Sequence, residues 1–99
     1  MLNIGKNQAG DALTLSLEGR LDTTTAPELE EVVKTNLDGV SALTVDMEKL
    51  EYISSAGLRV LLSAQKVMNK QGSMTIKNAS EDVKEIFDVT GFSDILNIE

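Results

Sequence analysis

Hydrophobic and polar positions recur along the chain with two periods in turn, one of two residues and one of about 3.6. In residues 12–18, Leu13, Leu15 and Leu17 fall on one side and Thr14, Ser16 and Glu18 on the other, which predicts a strand with one buried face. Residues 2–6 alternate in the same way, and residues 7–11, with Gly10-Asp11, predict a hairpin turn between the two. The period then lengthens. Thr25-Ala26-Pro27-Glu28 predicts a helix start, with Thr25 as N-cap, Glu28 reaching back to the cap amide and Pro27 where a missing N–H costs nothing. Leu29, Val32, Val33 and Leu37 line one face of that helix, and Gly39 is its stop.

Leu43, Val45 and Met47 mark a third strand by the same alternation. A second helix runs to about Lys70 with Leu58, Leu61, Leu62, Gln65 and Met68 inward, its stripe widened by Val60, Ala64 and Val67, and Gln71-Gly72 ends it. Residues 73–77 predict a fourth strand with Met74 and Ile76 inward. Ser80-Glu81-Asp82 caps a third helix whose inner face is Val83, Ile86, Phe87 and Thr90, with Gly91 as a left-handed stop. Residues 95–98 predict a short last strand. The order β-β-α-β-α-β-α-β implies one α/β domain over residues 1–99, with a mixed sheet of four to five strands. Because the strands alternate instead of being apolar throughout, the helices should cover mainly one face.

Composition narrows the chemistry. Nine Lys and Arg against sixteen Asp and Glu give a net charge of −7, which opposes direct binding to nucleic acid. The chain has no Cys and no His, so disulfides, thiolate zinc sites, cysteine nucleophiles, Ser-His-Asp triads and histidine phosphotransfer are excluded. Neither a cofactor nor a resident metal is expected, and the chain does not read as an enzyme. No apolar run approaches the roughly 18 residues of a spanning helix, and the start lacks a secretory pattern, so a cytoplasmic protein without membrane insertion is expected.

What chemistry remains concentrates in Tyr52-Ile53-Ser54-Ser55-Ala56-Gly57-Leu58, between a strand and a helix start. Free N–H groups and the helix dipole favour an anion there. A serine in that place serves as an N-cap, and it is also where a phosphate is tolerated; the two roles are compatible. Gly57 in a first turn costs about 1 kcal/mol against Ala, a cost explained if another backbone or a partner must approach closely. Asp22, before Thr23-Thr24-Thr25, reads by itself as a turn or capping residue. Asp46 ends a strand in the manner of a receiver-domain phosphoacceptor, but the carboxylates and lysine of that chemistry have no counterparts. No Walker or Rossmann glycine loop is present. Tyr52 and Phe92 read as core or rim positions.

Taken in order, these segments resemble the STAS domains, specifically the bacterial anti-sigma factor antagonists. The resemblance rests on Leu17-Glu18-Gly19-Arg20-Leu21-Asp22 followed by Thr25-Ala26, and on Val45 to Leu50 leading into Tyr52-Ile53-Ser54-Ser55-Ala56-Gly57-Leu58. Gln71-Gly72, Val83 to Asp88 and Thr90-Gly91-Phe92 match later landmarks, so the likeness runs nearly end to end. It implies a protein-interaction switch. An anti-sigma factor that is itself a serine kinase would phosphorylate Ser55, which would break the complex, and a PP2C-type phosphatase would restore it. The implied partner surface is Asp22, Thr23, Ser54, Ser55, Gly57 and Arg59, with the Asp22 loop beside the serine. Ser54 stands where the family's signature carries Asp, which makes Ser54 a rival acceptor. Arg59 stands where many members carry a small residue, either facing a partner's acid, holding a phosphate, or solvated. The departure at Ser54 also feeds an alternative, a STAS scaffold subunit of a larger transport or signalling complex that is never phosphorylated. Oligomeric state is open on this reading.

Overall fold

The computed structural model describes residues 2–99. Strands β1 (Leu2–Ala9) and β2 (Ala12–Leu21) pair antiparallel, with Ala9 opposite Ala12 across the tight turn Gly10-Asp11. Gly10, at φ 63°, supplies the left-handed backbone that such a turn requires. Both strands therefore outrun the segments expected from alternation alone, because a turn this short leaves residues 7–9 free to pair. Helix α1 (Ala26–Asn36), β3 (Ala42–Ile53), α2 (Ser55–Gln71), β4 (Ser73–Lys77) and α3 (Glu81–Thr90) follow, and then a 3-10 turn at Phe92–Asp94. The sheet order is β1-β2-β3-β4, with β2–β3 and β3–β4 parallel.

Leu13, Leu15, Leu17, Leu43, Val45, Met47, Met74 and Ile76 are all buried. The residues between them on β2, β3 and β4 are exposed or half-buried. One sheet face thus carries the core under the helices and the other stays open, as the alternation implied. Leu58, Leu61, Ala64, Gln65 and Met68 bury the inner stripe of α2. That stripe is narrower than expected: Leu62 is only half-buried and Val67 is exposed. Val67 lies in the groove between α1 and α2, beside Val33, Leu37 and Val60. On α3, Val83 and Phe87 are fully buried and Ile86 partly, but Thr90 faces solvent and bonds back to Ile86 O.

Two other expectations need correction. Strand β3 runs on to Ile53 because two register irregularities, between Ser16 and Glu18 and between Gly19 and Arg20 on its partner, each place an extra residue on β3. They space the buried Met47, Leu50 and Ile53 three apart, a pattern that strict alternation cannot reveal. The last strand is reduced to one bridge, Ile76 with Ile98, since the turn after Gly91 uses the Phe92 carbonyl for the amides of Ile95 and Leu96. Gly72 ends α2 as expected, with an extended φ of 171°. Its necessity is spatial: a Cβ there would lie 1.8 Å from the Ser41 carbonyl oxygen, which accepts the Ser73 amide.

Candidate functional site

Leu21 ends β2 and Ile53 ends β3, and the two are register partners on neighbouring parallel strands. Whatever follows them must emerge side by side at the carboxyl edge of the sheet, where open α/β folds place their ligand surfaces. The Ser54 amide donates to Leu21 O at 2.8 Å and fastens the start of α2 to the β2–α1 loop. Asp22 and Ser55, 33 residues apart in sequence, share one surface by this means.

Asp22 builds its own loop. Its Oδ1 accepts from the amides of Thr24 (3.0 Å) and Thr25 (3.1 Å), and the Thr25 hydroxyl oxygen lies 3.2 Å from it. The Thr25 amide, above all, holds the Asp22 carboxyl below the usual aspartate range, helped by the Thr25 hydroxyl, the Thr24 amide and Arg20, and opposed by partial desolvation. The anticipated capping box does not form. With its amide claimed by Asp22, Thr25 has helical φ and ψ, its buried hydroxyl donates to Arg20 O at 2.8 Å and accepts the Asp22 amide at 2.9 Å, and no side-chain cap bond is made. Because the folded loop favours the carboxylate, its contribution is complete above the ordinary aspartate pKa and fades as pH falls through the lowered one. The Thr24 and Thr25 amide resonances should therefore titrate with a midpoint below the ordinary aspartate value; a midpoint at or above it would contradict this geometry.

Ser54 and Ser55 part company. Ser54 is the N-cap of α2 with extended backbone, yet its side chain makes no cap bond, and its Oγ is buried without a hydrogen-bond partner. Ser55 is the first residue of the helix and is exposed. Thr23 and Arg59 are exposed too, and they line one shallow groove with Ala26, Pro27, Glu30, Ala56 and Val60. Gly57 is buried, and what approaches it is the chain itself: a Cβ there would sit 2.6 Å from Leu21 Cγ and 3.0 Å from Ile53 Cγ1. It brings α2 down onto the strand ends. Gly57→Ala should cost about 1–2 kcal/mol net, overpacking against Leu21 outweighing the helix-propensity gain. Urea unfolding checks this, and a stabilised Ala variant would refute the close approach.

Tyr52 is the rim position expected, but its pairing with Arg20 at this edge escaped the sequence reading. Arg20 and Tyr52 are register partners, the guanidinium lies 4.5 Å from the ring centre, and Arg20 Nε is 3.8 Å from Asp22 Oδ2. Their partnership depends on the irregular register of β3, which leaves no signal in the local sequence. Asp46 is occupied structurally, its Oδ1 accepting from the Glu48 amide and the Asn78 side chain. Among the described residues no group of three or more acidic side chains is arranged to hold a metal.

The model of the STAS domain matches residues 3–99. The chain belongs to the STAS domain family. It is 30% identical over 98 residues to an anti-sigma-B factor antagonist of Bacillus subtilis, covering 98% of this chain and 90% of that protein. An anti-sigma-B factor antagonist of Staphylococcus epidermidis is 31% identical over 99 residues, with 98% and 92% covered. The crystal structure of an anti-sigma factor antagonist from Mycobacterium paratuberculosis superimposes with a TM-score of 0.88 over 99% of this STAS chain and 85% of that one, at 20% identity, a likeness of fold. The four-stranded mixed sheet and three helices described above are thus a STAS domain, with the Ser55 edge formed by its two strand-to-helix connections.

Proposed function

We propose that this STAS protein is an anti-sigma factor antagonist, binding an anti-sigma factor through the edge formed by Asp22, Thr23, Ser54, Ser55 and Arg59, with Gly57 holding that edge in shape. The anti-sigma factor is a serine kinase that phosphorylates Ser55 and so ends the complex, and a PP2C-type phosphatase reverses the modification. The observation that carries the reading is the exposed Ser55 hydroxyl at the first position of α2, beside the buried and inaccessible Ser54 Oγ. Accessibility favours Ser55 over its rival as acceptor. The names of its curated relatives support the class of partner.

A phosphoryl group on Ser55 adds about −1.5 to −2 charges to a surface that previously offered a neutral hydroxyl. The helix start tolerates that charge in the free protein, whereas a closed interface must desolvate it. The switch therefore works through affinity and not through unfolding. The test is incubation with the anti-sigma kinase from the same cell and ATP, followed by peptide mapping and intact mass. One phosphate on Ser55 supports the mechanism; a phosphate on Ser54 alone overturns it. If the kinase binds and leaves the chain unmodified, the scaffold reading takes its place.

A further inference from the structure

The chain has two arginines, Arg20 and Arg59, and both stand at the Ser55 edge. Arg20 is engaged, stacked on Tyr52 and near Asp22. Arg59 is exposed and takes part in none of the ion pairs among the described residues, Arg20–Asp22, Lys34–Glu30 and Lys77–Glu99. It lies on α2 four residues after Ser55, one helical turn along the same face, which puts the two Cβ atoms roughly 5–6 Å apart. An anion N-terminal to a cation at this spacing is the favourable orientation of such a pair.

A second, independent observation concerns the helix start. On α3 the Ser80 hydroxyl accepts the Val83 amide at 3.2 Å, but Ser54 provides no such bond for α2. The first bond of α2 is from the Leu58 amide to Ser54 O, and no side chain among the described residues accepts from the amides of Ser55, Ala56 or Gly57. The buried, unpartnered Ser54 Oγ belongs to the same unserved turn. An anion carried by Ser55 thus meets free amide donors and an uncommitted guanidinium.

We infer that Arg59 is the internal counter-ion of a phosphoryl group on Ser55, an Arg–phosphate pair within the first two turns of α2. The inference rests on the reading of Ser55 as the modified residue. In the unmodified chain Arg59 is available in the groove beside Thr23 and Ala26 for a partner's acidic group. In the modified chain it turns along the helix to the phosphate. Phosphorylation then acts twice, adding negative charge at Ser55 and withdrawing positive charge from the groove.

The experiment installs phosphoserine at position 55 during translation, with no kinase involved, and follows the phosphate's second ionisation by phosphorus NMR. With Arg59 present the dianion is favoured. Arg59→Ala should raise the midpoint by about 0.3 of a pH unit, a twofold change in proton affinity, and Arg59→Lys should restore most of it. The difference should largely vanish at ~1 M salt, where the screening length is about 3 Å. Amide spectra confirm that each variant remains folded. Equal midpoints in the original chain and Arg59→Ala, or a larger shift from Arg20→Ala than from Arg59→Ala, would overturn the pairing. Because the phosphate is installed directly, failure of the kinase to label Ser55 counts against the proposed function alone, and an Arg59-independent titration counts against this inference alone.

Discussion

Ser55→Asp should bind its anti-sigma partner about a hundredfold more weakly than the original chain, a loss of about 3 kcal/mol for one unmatched charge closed into an interface. The same substitution should leave the fold intact and even stabilise it by roughly 0.3–1 kcal/mol, since an aspartate at the first position of α2 sits at the helix's positive end. That opposition of signs separates a damaged interface from a damaged protein. Ser55→Ala, which keeps a small neutral group there, should retain binding and resist modification. Calorimetric titration with the anti-sigma factor, beside urea unfolding of each variant, reads both quantities. Full affinity in the Asp variant would refute the switch, whatever its stability.

The largest stability loss is expected from Leu61→Ala, about 2–5 kcal/mol. Leu61 is 1% exposed on the inner face of α2, which packs on β3 and β4. Truncation removes apolar contact and leaves a cavity that the sheet, its strands fixed in register by backbone pairing, is poorly placed to close. Against a total of about 5–15 kcal/mol for a domain of ordinary stability, the urea midpoint should fall far while the slope stays unchanged. A loss under 1 kcal/mol would show that α2 is not seated as described. Leu62, half-buried, should cost distinctly less when truncated in the same way.

Much of the fold was legible because burial imposes a period. The alternation at Leu13, Leu15 and Leu17 and the three- and four-residue steps from Leu58 to Met68 located β2 and α2, and the capping serine and Gly91 bounded α3. Local reading failed where tertiary partners compete for the same groups. Thr25 carries every mark of an N-cap, yet Asp22 takes its amide and Arg20 O takes its hydroxyl proton. Gly72 is legible as the end of α2, but that the Ser41 carbonyl leaves no room for a side chain there is not. Val67 extends the apolar stripe of α2 but lies along the open groove between α1 and α2, where it stays exposed.

The candidate edge divides in the same way. By itself the sequence determined which segments carry its chemistry: a strand-to-helix junction with paired serines, an acidic turn, and no histidine or cysteine to support catalysis of the common kinds. Those are properties of residue type and near-neighbour spacing, and they need no third dimension. Only the tertiary structure decided that Leu21 and Ile53 end side by side, that Ser54 Oγ is buried while Ser55 is exposed, and that Gly57 exists for Leu21 to approach. Only there, too, does irregular pairing bring Arg20 over Tyr52 and leave Arg59 as the arginine without an ion-pair partner among the described residues. The reason is physical: period and propensity act over one or two turns of chain, but accessibility and pairing at the Ser55 edge depend on groups more than thirty residues away, placed by parallel strand register.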